Sequence, residues 1–296
     1  VVVVEDGLTL AVVGTATRQG TQRRMLCDAV AEHRFPHPTG HPPDVLAVAV
    51  VDGTGSSPAV AEAAYLAAEV AARVAARHNT IAGVLAATQL LANPTVPIPA
   101  PDGSLVLARL RRGAATIAHV GDCRAYGWTH RRLHPYTVDH TLGQRLRAQG
   151  APDEQAAGHD HQTVNSIARA TISTITVTTI DDPLIVLTTD GVHQALTHDQ
   201  IAAILTDHDD DPGACADALV AAAHAARPQD DATAVAIHRS AQPATDPDRQ
   251  RARPASSPTH PAPTHTGKEV PLMTDNDPDT ADPDATQPVT VDDNDD

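Results

Sequence analysis

Residues 184–196 read LIVLTTDGVHQAL, in which an apolar and β-branched run, Leu184 to Thr189, stops at Asp190-Gly191. The same arrangement occurs earlier, where Val45 to Val51 runs into Asp52-Gly53 within VVDGTGSS (50–57). A third apolar run, Thr233 to Ile237, begins just after Asp230, past Asp231 and Ala232, in QDDATAVAI. Short apolar runs bounded by turn residues predict buried strands. If those strands are antiparallel neighbours, all three aspartates come to one edge.

Carboxylates held together resist joint ionisation, because each raises the pKa of the next, so such a cluster predicts a cation among them. Oxygen-only ligands favour hard cations, magnesium or manganese, and two such ions roughly 3.5–4 Å apart can share one nucleophilic water. A single Asp-Gly pair marks only a turn. Three aspartates at the ends of strand-like runs are not accounted for by turn chemistry alone.

Around these runs the pattern alternates between helix and strand. Ser57 to Arg77 places small or apolar residues at Val60, Ala64, Ala67, Ala71 and Val74, with Glu62, Glu69, Arg73 and Arg77 on other faces, which predicts a helix. A second helix is predicted over Ile81 to Leu91, ending before Asn93-Pro94, with a Pro-rich loop to Pro101. Leu105 to Leu110 and Ala115 to Val120 read as a hairpin around Arg111-Arg112-Gly113, and Cys123 to Trp128 with Arg131 to Pro135 as another pair. Leu142 to Gln149, closed by Gly150, and Asp199 to Leu205 predict short helices, and Gly213 to Ala226 a longer one. Strands in runs, with helices between and after them, predict an α+β fold rather than a parallel βαβ sheet.

The order of short motifs is more specific than any of them alone. GTQRRMLCDA (20–29), VVDGTGSS (50–57), IAHVGDCRAYGW (117–128), TVDHTLGQRLRAQG (137–150), LTTDGVHQALTHDQI (187–201) and DDATAVAI (230–237) follow one another, and VGD-x-RAY, T-x-DHTL and TDG form a distinctive series. From about residue 8 to residue 238 the chain resembles the PPM, or PP2C-like, family of metal-dependent protein serine/threonine phosphatases, in its bacterial form. The resemblance implies a four-layer α/β/β/α sandwich, two central antiparallel sheets flanked by helices. It implies Mn2+ or Mg2+, two ions and a weaker third. Asp52 would bridge two metals with the Gly53 carbonyl as a further ligand, Asp190 and Asp230 would complete the first shell, and Asp122 would help hold the third ion. Arg23 matches the family arginine that grips the substrate phosphate, and its neighbour Arg24 leaves that register open by one.

Two positions depart from the family pattern. Cys27 stands where a glutamate usually precedes the retained Asp28, and a neutral thiol replaces neither its charge nor its acceptor oxygens. Thr54 stands where eukaryotic members carry a histidine. The function implied is hydrolysis of phosphoserine or phosphothreonine in proteins by a metal-activated water, with serine/threonine kinases or their substrates as partners. The alternative is a weakly active or inactive pseudophosphatase that binds phosphoproteins as a regulatory module. Cys27 is not a nucleophile on this reading, because no Cys-x5-Arg phosphate cradle surrounds it.

Composition limits the other classes. The 296 residues carry a formal charge of −16, with 12 acidic and 4 basic residues in 240–296 and 25 and 17 in 1–239. An acidic chain without a basic patch predicts no nucleic-acid partner. No apolar stretch approaches the roughly 18 residues of a membrane span, and the initial valines lack the pattern of a signal peptide. Cys27, Cys123 and Cys215 are widely spaced and odd in number, which predicts neither a disulfide framework nor a zinc site and fits a cytoplasmic protein. Most of the 17 histidines, including His37, His41, His159 and His161, read as exposed loop residues, the last two in a variable flap over Ala151 to Thr163. Residues 1–239 are therefore assigned to a catalytic domain, expected to be monomeric, and 240–296, rich in Pro, Asp and Thr, to a disordered acidic tail.

Overall fold

The computed structural model describes residues 10–35, 45–92, 101–111 and 114–240. The expectations for the tail beyond Ser240, for the Pro-rich loop at 93–100, for His37 and His41 and for the turn at 112–113 fall outside these residues.

The described chain contains ten strands in two sheets, every pairing antiparallel. The first sheet has the order β1 (Ala11–Arg18), β10 (Ala232–Arg239), β9 (Leu184–Thr188), β6 (Arg124–Thr129), β7 (Arg132–Pro135). The second has the order β2 (Asp28–Phe35), β3 (Val45–Gly53), β4 (Gly103–Arg111), β5 (Ala114–Val120), β8 (Thr176–Ile180). Strand side chains alternate between faces, and here both faces are covered, which is why the central strands read as unbroken apolar runs. Along β3, Leu46, Val48 and Val50 enter the core between the sheets with Ile185 and Leu187 of β9 and Val235 and Ile237 of β10. Ala47, Ala49 and Val51 instead face α1 (Pro58–Arg77) and α2 (Thr80–Leu91). On the far side, Leu184, Val186, Ala234 and Ala236 pack against α6 (His198–His208) and α7 (Pro212–Ala226). The architecture is the four-layer α/β/β/α sandwich.

Helix starts follow local chemistry. Ser57 caps α1 with Pro58 in its first turn, Asn79 caps α2, Thr197 and Gln200 form a reciprocal capping box on α6, and Asp211 caps α7 ahead of Pro212. The buried stripe of α1 is almost wholly alanine, Ala64, Ala67, Ala68, Ala71, Ala72, Ala75 and Ala76, with Val74 only half-buried. Helix and sheet therefore approach closely. Two shorter helices, α3 (Leu142–Ala148) and α4 (Asp153–Ala157), occupy the region before and within the flap, and α5 (Asp190–His193) begins at the TDG aspartate. Among the described residues no helix is long and apolar enough to cross a membrane.

The sheet arrangement corrects one expectation. β9 and β10 are antiparallel neighbours, but β3 lies in the other sheet, so the three aspartates are not brought together along one sheet edge. They meet instead across a seam between the two sheets, Asp190 lying near both Asp52 and Asp230.

Candidate active site

One wall of the site is the end of the second sheet. Asp28 and Asp52 are direct cross-strand partners, and Ser104 is the partner of Asp52 on its other side. Ser104 Oγ donates to Asp122 Oδ1 at 2.6 Å, and the Asp122 N–H returns to Ser104 Oγ at 3.2 Å. Gly121 makes this exchange possible: its φ is +88°, and a Cβ there would stand 2.0 Å from Ser104 Oγ. The VGD-x-RAY and T-x-DHTL motifs are physically joined here. Arg124 forks onto Asp139 at 2.8 and 2.6 Å, the Ala125 N–H donates to Thr137 Oγ1, and the His140 N–H donates to the Gly121 carbonyl.

The other wall comes from the first sheet, where β9 turns into α5 at Asp190 and the Asp230-Asp231 pair leads into β10. Thr189 links the walls, its Oγ1 donating to Asp28 Oδ2 at 2.9 Å while accepting the Thr233 N–H at 3.0 Å. Asp231, whose importance the sequence reading missed, is buried and accepts the N–H groups of Gly20 and Cys27 at 2.9 and 2.8 Å. It thereby holds the 20–27 loop against the first sheet. The doubled aspartate was the available signal: one member faces the site and the other anchors the loop.

That loop presents Arg23. Its Nε donates to Asp230 Oδ1 at 2.6 Å, Nη2 pairs with the same oxygen, and Nη1 reaches the Gly55 carbonyl at 3.1 Å. Arg24 is exposed and engages Ser56 through its backbone N–H. Arg23 is thus the arginine that lies on the carboxylates.

The electrostatics are those of crowded, poorly neutralised acids. Burial, then the charges of Asp190, Asp28 and Asp122, holds the Asp52 carboxyl well above the usual range. Asp190 is pushed up to about 6 by burial and by Asp122 and Asp230. Asp28 rises to about 7, chiefly by burial, against the opposing hydrogen bonds of Thr233 and Thr189. Burial also raises Asp122, with the Ser104 hydrogen bond working against it. An all-oxygen set that resists ionisation is the donor chemistry of a hard divalent cation. Among the described residues no three His, Cys, Asp or Glu side chains stand as a finished ligand set. Asp230 is turned to Arg23 and Asp122 to Ser104, so the donors fit a cation in kind and place without already converging on a point.

Cys27 is buried, with Sγ 3.7 and 3.9 Å from the Met25 and Ser57 carbonyls, and burial keeps its thiol neutral by raising its pKa. Thr54 lies exposed in the turn after Gly53. In the flap, His161 is exposed and His159 half-buried, while Arg147 ties α3 to Asp160 by two bonds of 2.6 and 2.7 Å. Cys123 and Cys215 are buried free thiols.

No family model matches the chain, and no curated protein sequence matches it. Solved structures do. The chain is similar to the serine/threonine phosphatase of S. agalactiae, with 18% identity and a TM-score of 0.66 over 78% of this chain and 100% of that one. It is similar to the PPM Ser-Thr phosphatase MsPP from Mycobacterium smegmatis in complex with cacodylate, with 22% identity and a TM-score of 0.61 over 79% and 100%. A third similar structure is the catalytic domain of the serine threonine protein phosphatase PstP in complex with two manganese ions, with 18% identity and a TM-score of 0.58 over 77% and 97%. Sheet order, flanking layers and these matches together give the chain the fold of the bacterial PPM-type serine/threonine phosphatases.

Proposed function

We propose that the chain is a metal-dependent protein phosphatase that hydrolyses phosphoserine and phosphothreonine, with phosphorylated proteins, serine/threonine kinases or their substrates, as partners. The observation that carries this reading is the gathering of Asp28, Asp52, Asp122 and Asp190 from two sheets along one seam, their pKa values raised, with Arg23 at its rim. Asp52, the Gly53 carbonyl, Asp190 and Asp230 would hold two Mn2+ or Mg2+ ions, and Asp122 with Asp190 a third. When bound, such ions supply an acidified water and neutralise charge on phosphoryl oxygens. Arg23 contributes a planar fork of donors that orients the phosphate and stabilises its charge during in-line displacement. The ester oxygen leaves as the serine or threonine hydroxyl, and inorganic phosphate is released. Residues 1–239 suffice for this chemistry, which we place in the cytoplasm and in a monomer.

A second reading is favoured by Cys27. A neutral buried thiol offers a second cation no acceptor oxygen, which supports a phosphoprotein-binding module of low turnover. Phosphate release from a phosphothreonine peptide separates the two, measured in Mn2+, Mg2+ and EDTA with Asp52→Ala and Asp190→Ala alongside. Metal-dependent release abolished by both substitutions supports the phosphatase. Folded protein that releases nothing in any metal supports the module.

A further inference from the structure

We infer that Asp102 is a positioning residue that aims the Gly53 carbonyl into the carboxylate seam; this rests on the reading of Gly53 as a metal ligand. The Gly53 carbonyl and the Thr54 N–H belong to one planar trans peptide unit, so fixing the N–H fixes the carbonyl in the opposite direction. The Thr54 N–H donates to the Asp102 carbonyl at 2.9 Å, one residue beyond the last β3–β4 pair, Gly53 with Gly103. The preceding peptide is pinned as well, the Gly53 N–H donating to the Cys27 carbonyl at 3.1 Å. Gly53 leaves no room for a side chain, since a Cβ there would stand 2.7 Å from Val60 and 2.8 Å from the Cys27 carbonyl oxygen, so the strand end packs directly against both.

Asp102 can serve as an anchor because its own carboxylate is held. Oδ2 accepts from Ser166 Oγ at 2.6 Å, and Oδ1 accepts from the N–H groups of Ala168 and Gly103, at 2.9 and 2.8 Å. Ser166 is buried and opens the 3-10 turn Ile167–Arg169, whose Ile167 is fully enclosed in the core between the second sheet and helices α1 and α2. The chain of support runs from that core through Ser166 and Ala168 to Asp102, and through the Thr54 N–H to the carbonyl. An aspartate is suited to this task because it accepts from several donors at once.

Mn2+ affinity of the full chain, read by the electron paramagnetic resonance signal of free Mn2+, tests the inference without reference to turnover. Asp102→Ala is expected to weaken binding on the order of tenfold, the scale on which outer partners of metal ligands act. Asp102→Asn, which keeps an acceptor oxygen, is expected to rescue most of that loss, and Ser166→Ala to lose less than Asp102→Ala. Wild-type protein that binds Mn2+, with Asp102→Asn, Ser166→Ala and any folded Asp102→Ala all within twofold of it, would overturn the role of Asp102 alone. Wild-type protein that binds neither Mn2+ nor Mg2+ would overturn the metal reading and this inference together.

Discussion

Asp28 and Asp52 face each other across neighbouring strands, and Thr189 and Thr233 answer only part of the charge on Asp28. A carboxyl whose pKa is raised by folding binds its proton more tightly in the folded state, so it loses stability as pH climbs from the unfolded value, near 4, through the folded one, about 7. Whole-protein melting mixes this with the reverse effect of His119, His140 and His193, whose pKa values burial lowers. Asp28→Asn isolates the carboxyl. In chelator, chemical denaturation should show Asp28→Asn gaining on wild type by on the order of 2 kcal/mol between pH 5 and pH 8. A difference that does not change with pH would show that Asp28 titrates normally. At this scale the sequence was partly legible. Asp52, Asp190 and Asp230 announced themselves by ending or preceding apolar runs, whereas Asp231, Thr189 and Asp102 act through backbone N–H groups and hydroxyls that leave no pattern in a single chain.

Helix α1 shows what an almost aromatic-free composition requires of an element. Its alanine stripe lets α2 come so close that a Cβ on Gly83 would stand 2.6 Å from the Ala71 carbonyl oxygen and 2.9 Å from both Ala75 Cβ and a Leu107 methyl. Glycine normally weakens a helix by about 1 kcal/mol against alanine, so relief of that penalty opposes the clash. Overpacking of about 1–3 kcal/mol should still win, because two of the three contacts, the Ala71 carbonyl oxygen and Ala75 Cβ, are fixed to the backbone of the facing helix. Gly83→Ala is expected to lower the melting temperature by roughly 2–6 °C in a calorimetric scan, and an increase would show that the helices slide apart freely. The helices were legible because their caps and 3.6-residue spacing are local. β1, β2 and β8 were not assigned from sequence, and each lies at the edge of a sheet with a partly exposed face, so no continuous apolar run marks it. The central strands β3 and β9, covered on both sides, were visible for the same physical reason.

At the scale of the molecule, motif order revealed the architecture, but pattern alone left open whether β3 and β9 are neighbours, because periodicity reports which strands are buried and not which sheet they join. The globular layers close between Ala11 and Arg239, and all the residues proposed to act lie within them. Deleting residues 241–296 should therefore leave metal-dependent phosphate release within about twofold of the full chain, compared at equal protein and Mn2+; a larger change would give the tail a regulatory part. The sheet order has a further consequence. β10 is the last of the described strands yet lies inside its sheet, and β1, the first of them, is joined to that sheet, among the described residues, only through it. During synthesis the first strand must wait for the last, and Arg23 meets Asp230 across 207 residues of chain. A ribosome-bound chain that has not yet delivered its final strand cannot own a finished site, so any metal-dependent turnover begins only when translation of the folded part is complete.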